Sequence, residues 1–571
     1  MLVESTARGV PREALDNPGV DPRQTSKSLA ASRMLRVLGK VFQSFPRSEK
    51  LFAAILVAWI LLTSYVMLSN PVVYVNDVLG FISRADSLKI GVDSGWLNGL
   101  YPFGYPLLLK AVAALLRDYE VAGRLISFAS AIGCILMIRR AGNLLFSRRI
   151  GLSASIVCCF NPLFFRYATA SGTDMPSAFF CFLSLLLMIE MAMRTRYHNL
   201  SPLIPGVSLG LGYLIRYTGL ILLPVYAIWI IMFSRQTFGS KTMLARLHLV
   251  GLLVLGFLIG AFPQLVLAIA QKGSPLWNTQ GYNVYFGMFG EQNWGQNWNE
   301  ALNHPSIAKI IQEFPVQFIK NFLRNAASSI KISIFPYPFL LLGWPSLLLS
   351  LWQSDSEDRK DSSRVNSCRI LLALTLIGYT LAICIAFLNS RLLLFPAILF
   401  SLYVAIGLTQ IPPPIILLGS RKLAFRSLFY CAGIFLLLAL CVKDYVARPV
   451  SAYDLSRIEV SQRIAKLLPN DESRAQKVLS LSFDFYDLQS RLKTPYSKDW
   501  YKSDNDLSYS SFANIHSSMR KRGHQFLVFD ERAPRNIPGL SSSWPPKDFG
   551  FSAYFEEIFK SEDAVIAKPR E

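Results

Sequence analysis

Apolar runs long enough to cross a membrane recur along most of the first 442 residues of this 571-residue chain. A window of about 19 residues, the length that crosses a hydrocarbon core of about 30 Å, identifies about eleven of them. They lie near residues 51–69, 121–138, 150–165, 174–193, 202–216, 217–233, 248–270, 329–351, 370–387, 392–409 and 427–442. Because 52% of the residues are hydrophobic and only 17% are charged, a soluble core would not bury them all. The sequence therefore predicts an α-helical polytopic membrane protein.

The orientation of the spans depends on one short apolar segment, "GYPLLLKAVAALL", residues 104–116. It is too short for a full span and contains Lys110, so we expect an interfacial or re-entrant helix. If it does not cross, the basic N-terminus and the Arg- and Lys-containing loops all lie in the cytoplasm, as the positive-inside rule requires. The net charge of +21 is thus mainly a topology signal that also favours anionic lipid over nucleic acid.

This topology divides the chain into three predicted parts. Residues 1–50 are a cytoplasmic basic segment, and residues 51–442 are a transmembrane domain with first outer loop 70–120 and a second long outer loop 271–328. Residues 443–571 change composition to frequent, nearly balanced charges. We expect them to form a small soluble α/β domain on the extracytoplasmic side.

The C-terminal part contains recognisable strand and helix patterns. "KVLSLSFDFY" and "HQFLVFDE" are typical of strands, whereas residues 455–468 and 509–521 have helical periodicity. The eight Cys lie in or beside predicted spans and the five His are scattered, so we expect no disulfide framework, no metal site and no cofactor.

The first outer loop contains Asp77, within about ten residues of the bilayer. A carboxylate so close to a membrane is costly unless water solvates it, it caps a helix or it has a function. It is placed either to act as a general base or to cap a short helix beginning at Val78. Tyr101 and Tyr105 lie in the same loop, in "YPFGYP". They either contact substrate or belong to an interfacial aromatic belt.

Three more charged residues lie at the outer ends of predicted spans. Asp174, in "SGTDMPSAFF", either caps the following helix, contacts substrate or orients the first loop. Arg216 and Arg391 either extend towards lipid headgroups or bind a phosphate through charge-assisted hydrogen bonds. In loop 271–328, Trp and Tyr alternate with Asn and Gln, which favours a substrate-facing loop.

The order of these segments resembles a known family. An Asp after the first span is followed by "YPFGYPLLLKAVAALL", by the stretch from "AGRLISFASAIG" to "SGTDMPSAFFCFLSLLLM", and by "GLGYLIRYTGLILLP". This arrangement is similar to the polytopic glycosyltransferases of the GT-C type, which include protein O-mannosyltransferases and the aminoarabinose transferases of lipid A. "SRLLLFPAIL" also resembles the family's Arg-containing motif before a late span.

The resemblance implies a GT-C-like fold and transfer of a sugar from a polyprenyl-phosphate-linked donor to an acceptor hydroxyl at the extracytoplasmic surface. It implies that Asp77 is the catalytic base, and we assign substrate binding to five further residues: Asp174, Arg216, Arg391, Tyr101 and Tyr105. Relatives often carry a second acid directly after the first, whereas this chain has Val78, so we expect no metal there.

Three questions stay open at this level. The acceptor is a lipid, a polysaccharide or a protein. The expected location is a bacterial inner membrane, although an endoplasmic reticulum membrane has the same topology. A lipid-linked-sugar transporter or flippase and a non-enzymatic membrane assembly factor are the alternative functions, since both are also compatible with a polytopic chain.

Overall fold

The computed structural model describes most of the chain before residue 410 and selected parts after it. The described residues are 47–69, 78–87, 97, 99–193, 202–239, 242–289, 301, 303–334, 343–352, 362–410, 415–418, 421–424, 439, 459–460, 463–464, 466–468, 478–480, 511–530, 550–560 and 564–571. The chain divides into two compact units, Met1–Trp59 and Ile60–Glu571. The contacts described below all lie within the second unit.

Helices form nearly all of the described part up to residue 410. In chain order they are α1 (Arg47–Ser69), α2 (Val78–Ser87), α3 (Gly104–Leu116), α4 (Tyr119–Leu145), α5 (Arg148–Cys159), α6 (Pro162–Thr169), α7 (Asp174–Met193), α8 (Leu203–Ile215), α9 (Leu222–Phe238), α10 (Met243–Lys272), α11 (Gly281–Phe289), α12 (Ile307–Glu313), α13 (Pro315–Ile334), α14 (Gly343–Trp352), α15 (Ser362–Ile383) and α16 (Leu394–Gln410). Two 3₁₀ helices, Tyr217–Ile221 and Ser390–Leu393, directly precede α9 and α16.

Among the described residues, seven helical segments are long and apolar enough to cross a membrane, and a bent pair gives an eighth. The seven are Glu49–Ser69, Tyr119–Leu145, Asp174–Met193, Tyr217–Phe238, Met243–Lys272, Ser362–Ile383 and Ser390–Thr409. Each coincides with a predicted span, so the polytopic helical membrane fold is confirmed. The predicted span 427–442 lies outside the described residues except for residue 439.

The predicted span 150–165 is two helices, α5 and α6, that meet at 62°. The break follows from the sequence, because Asn161 caps α6 by accepting hydrogen bonds from the amides of Leu163 and Phe164. Pro162 occupies the first position of α6. Proline is well accommodated at the first turn of a helix but disrupts the interior of one.

Two other predicted spans also differ from single long helices. The span predicted at 202–216 is α8, which has only 13 residues and is shorter than a full crossing. The span predicted at 329–351 corresponds to the end of α13 and to α14, which are separated by residues outside the described part. α13 begins earlier, at Pro315, and buries polar residues such as Asn321 and Asn325 while it exposes Val316.

Helices α8 and α10 pack through a pair of glycine motifs, "GVSLG" at 206–210 and "GFLIG" at 256–260. A Cβ atom on Gly210 would lie 2.8 Å from the Cα atom of Gly260, and one on Gly256 would meet the backbone of Leu203 and Val207. Small residues at this spacing let membrane helices approach backbone to backbone. This contact holds α8, the helix that Arg216 follows, against α10.

The C-terminal part contains a four-stranded sheet, and two of its strands lie in the predicted strand segments "KVLSLSFDFY" and "HQFLVFDE". Its strands are β3 (Val478–Ser480), β4 (Phe526–Asp530), β5 (Phe555–Lys560) and β6 (Ala564–Pro569), in the order β3-β4-β6-β5. A separate two-stranded hairpin, β1 (Ile415–Leu418) and β2 (Arg421–Ala424), comes before them in the chain. β3 and β4 are parallel, and the other neighbours are antiparallel. Helix α17 (Phe512–Arg522) packs Ile515 and Met519 into one core cluster with Leu527 and Phe529. A short helix, α18 (Phe551–Tyr554), precedes β5.

Candidate active site

The candidate site is built around an ion pair between Asp174 and Arg216. Nη1 of Arg216 lies 2.6 Å from Oδ1 of Asp174 and also donates to the hydroxyl of Thr173 at 3.1 Å. The side chains of Arg216 and Asp174 are only 12% and 5% exposed. Because both charges have lost most of their water, each depends on the other for compensation.

The local backbone explains why these two side chains meet. Asp174 is the first residue of α7, whose first turn includes a hydrogen bond from the Ser177 amide to the Thr173 carbonyl. Arg216 is in an extended conformation between α8 and the following 3₁₀ helix, and its amide donates to the Gly212 carbonyl. Ser177 and Thr218 join the two turns, with 3.4 Å between their hydroxyl oxygens.

Arg391 reaches the same place from a third part of the chain. It lies in the 3₁₀ helix Ser390–Leu393, which precedes α16. The side chain of Asn389 caps the start of this 3₁₀ helix by accepting a hydrogen bond from the Arg391 amide. A small cleft here is bounded by charged, hydroxyl-bearing and apolar side chains. Its lining residues are Asp174, Ser177, Ala178, Arg216, Tyr379, Arg391, Leu392, Leu394 and Phe395.

Tyr101 brings the first loop to this cluster. The Cζ atom of Arg216 lies 6.0 Å from the centroid of the Tyr101 ring, within the range of a cation–π contact. Arg84, on α2, donates from Nη1 to the carbonyl of Tyr101 at 3.4 Å. The ring of Tyr101 also packs edge-to-face against Phe81 at 5.0 Å.

Tyr105 lies beneath the site and is fully buried. Its hydroxyl is 3.4 Å from the hydroxyl of Ser171, in the turn that leads to Asp174. Burial raises the pKa of Tyr105 to about 12, so the hydroxyl stays protonated at ordinary pH. In this position Tyr105 supports the Asp174 turn, while its predicted contact with substrate stays a prediction.

The predicted catalytic base, Asp77, lies outside the described residues, as does its neighbour Asn76. A helix does begin at Val78, as one of the two sequence interpretations expects. Val78, Phe81 and Ile82 of this helix are buried in one cluster with Tyr105. No group of three metal-ligating side chains occurs in the part of the chain that the structure describes.

Several Asn and Gln residues of loop 271–328 have structural partners in the part that the structure describes. Gln280 donates to the carbonyl of Leu100 at 2.9 Å, which ties this loop to the first one. Asn325, on α13, donates to the carbonyls of Cys384 and Ala386 at 3.0 and 2.7 Å. Part of the amide density that suggested a substrate-facing loop therefore holds backbone segments together.

Sequence reasoning missed several polar residues of the cluster: Ser171, Thr173, Ser177, Thr218 and Gln264. Gln264 is 1% exposed within α10, accepts a hydrogen bond from the amide of Phe103 and donates to the hydroxyl of Tyr217, both at 3.3 Å. Its signal in the sequence is a lone amide within the apolar run "AFPQLVLA". A polar residue inside a membrane span is a functional candidate by default.

A family model matches part of the chain and supports one class of protein. Residues 101–259 match the family model described as dolichyl-phosphate-mannose-protein mannosyltransferase. This stretch contains Tyr101, Tyr105, Asp174 and Arg216. With the helical membrane fold, the match indicates a polytopic glycosyltransferase of the GT-C type, as the sequence predicts.

Solved structures share this fold at low sequence identity. ArnT from Cupriavidus metallidurans bound to undecaprenyl phosphate matches with a TM-score of 0.54 at 13% identity, over 90% of this chain and 97% of that one. Its apo structure gives 0.53 at 12%, over 91% and 98%. The archaeal oligosaccharyltransferase AglB from Archaeoglobus fulgidus, in complex with an inhibitory peptide and a dolichol-phosphate, gives 0.53 at 13%, over 92% and 77%. No curated protein sequence is a match.

Proposed function

We propose that this protein transfers a sugar from a polyprenyl-phosphate-linked donor to an acceptor hydroxyl on the extracytoplasmic face of a membrane. One observation carries the proposal: Asp174, Arg216 and Arg391, which are far apart in sequence, line one cleft at the ends of membrane helices. Two arginines next to a single carboxylate suit an anionic ligand. The structures of similar fold bind dolichol-phosphate and undecaprenyl phosphate, which supports a lipid phosphate.

The two arginines have different parts in this proposal. Arg216 already uses Nη1 for Asp174 and Thr173, so Asp174 orients it and its other donors are left for the phosphate. Arg391 supplies the second cation that lines the cleft. Leu392, Leu394 and Phe395 give the cleft an apolar side, which suits the polyprenyl chain next to the phosphate.

Asp77 is the proposed general base. Transfer requires removal of the acceptor hydroxyl proton as its oxygen attacks the anomeric carbon, while the bond from that carbon to the phosphate oxygen breaks. The leaving polyprenyl phosphate takes the electron pair of the broken bond and gains a negative charge, which Arg216 and Arg391 stabilise, while Asp77 holds the acceptor proton. The resemblance to the family and the position of Asp77 just before α2, which packs against the Tyr101 loop, support this assignment.

A transfer assay tests the function. The purified protein is reconstituted with a radiolabelled polyprenyl-phosphate sugar and membranes that contain candidate acceptors. The proposal expects label to appear on an acceptor. Label that moves across the bilayer while still bound to the polyprenyl phosphate would instead support a flippase, and label that neither moves nor transfers would support an assembly factor.

The proposed location is a bacterial inner membrane with the N-terminus in the cytoplasm and the C-terminal domain outside. Lys521→Cys and Arg149→Cys place thiols at exposed residues on opposite sides of this topology. In intact cells, a membrane-impermeant thiol reagent should label the Lys521→Cys variant and should reach the Arg149→Cys variant only after permeabilisation. The reverse result would invert the topology.

A further inference from the structure

Gln264 is a polar side chain buried within a membrane helix. It lies eight residues before the end of α10, Lys272, which corresponds to about 12 Å along the helix axis. Its side chain is 1% exposed, and its helix neighbours include Ala261, Leu265 and Ala268, which are also buried. Burying an amide in such surroundings costs free energy unless the amide is hydrogen-bonded. The hydrogen-bond partners of Gln264 therefore indicate its role.

The partners of Gln264 belong to two different elements of the candidate site. Oε1 accepts from the backbone amide of Phe103, which lies two residues after Tyr101 in the first loop. Nε2 donates to the hydroxyl of Tyr217, the residue directly after Arg216. One side chain thus links the loop that follows α2 with the turn that carries Arg216.

Other contacts also bring the same two elements close. The Cζ atom of Arg216 lies 6.0 Å from the centroid of the Tyr101 ring. Gly104 approaches the carbonyl of Leu214 so closely that a Cβ atom would not fit. The directional hydrogen bonds of Gln264 are therefore suited to set the register between the loop and the turn.

We infer that Gln264 is a positioning residue for sugar transfer. Its amide holds the Phe103 segment of the first loop against the turn that carries Arg216, which binds the donor phosphate. This inference rests on the proposed function. A misplacement of about 1 Å between reacting groups is enough to slow a reaction by about 10². Loss of the amide therefore slows the chemical step more than it weakens donor binding.

The test compares Gln264→Met, which keeps the unbranched shape and removes both hydrogen bonds, with Gln264→Glu, which keeps an acceptor for the Phe103 amide. Undecaprenyl phosphate binding counts the functional sites in each preparation, and kcat is expressed per site. We expect Gln264→Met to lower kcat per site by about 10-fold or more with a donor KM within about 3-fold of wild type. Gln264→Glu should recover part of the loss.

Two further variants separate positioning from a general structural role. Tyr217→Phe removes one of the same bonds from the other side, and its effect should not add to that of Gln264→Met. Gln236→Leu removes a bond to Ser367 near the opposite end of α9, and it should leave kcat per site unchanged.

Three outcomes would overturn the inference. One is wild-type kcat per site in Gln264→Met. Another is a loss that follows the number of binding sites, which would mean a structural role. A wild-type protein that transfers no sugar would overturn the proposed function and this inference with it.

Discussion

Nη1 of Arg216 lies 2.6 Å from Oδ1 of Asp174, although the two residues are 42 positions apart in the sequence. The pair joins the start of α7 to the end of α8. Both side chains are nearly buried, so the charge of either residue is stable only while the other is present. The ion pair therefore has a structural role that is separable from its proposed role in catalysis.

Asp174→Ala leaves the charge of Arg216 unpaired and should lower the free energy of unfolding by about 3–5 kcal/mol. The double variant Asp174→Leu/Arg216→Met removes both charges and should recover most of this stability without restoring sugar transfer. Thermal unfolding in detergent and the transfer assay measure the two effects.

Glu190→Ala is the matched control, because its pair with Arg140 lies near the other end of α7 and is more exposed. It should cost no more than about 1 kcal/mol. Full transfer activity in the double variant would mean that the pair is structural only.

Arg391→Ala should weaken the use of the donor. A charge-assisted hydrogen bond to a phosphate contributes about 1.5–3 kcal/mol, so the donor KM should rise by at least about 10-fold. Arg391→Lys keeps the charge without the bidentate geometry and should recover part of the effect. Steady-state kinetics with varied donor and fixed acceptor measure this. An unchanged donor KM would favour an arginine that merely extends towards lipid headgroups.

Gly256→Val should destabilise the protein, because a Cβ atom there meets the backbone of α8. Over-packing of this kind costs about 1–3 kcal/mol. Gly251→Val is the matched control on the same helix, since nothing lies within 4 Å of a Cβ atom at that position. The melting temperature in detergent should fall for Gly256→Val and stay near wild type for Gly251→Val. Equal melting temperatures would mean that the close approach of α8 and α10 is not required.

The sequence predicts the spans well because a bilayer imposes length and apolarity on each helix locally. It does not reveal where a run breaks, and the bend at Asn161–Pro162 is predictable only when capping by Asn161 is weighed against continuation of the apolar pattern. The length of α8 depends on Arg216 adopting an extended backbone, which follows from tertiary contacts with Asp174 and Thr173.

The site is predictable in its charges and less so in its support. Asp174, Arg216 and Arg391 are conspicuous because they are charged residues in short outer turns between apolar runs. Tyr105 looks like a surface aromatic in the sequence, yet the structure buries it against Ser171. Gln264 is a single amide in an apolar run, and its partners, Phe103 and Tyr217, are 161 and 47 residues away. Such long-range pairing has no local signature.

The most direct test of the proposed mechanism is the rate of sugar transfer by Asp77→Asn, measured with purified protein and a radiolabelled polyprenyl-phosphate sugar. The substitution keeps the size of the side chain and removes the basic oxygen, so transfer should fall by about 10² to 10⁴ while insertion and undecaprenyl phosphate binding are unchanged. Asp93→Asn, in the same loop, is the matched control and should retain wild-type activity. Transfer near the wild-type rate in Asp77→Asn would contradict the assignment of Asp77 as the base.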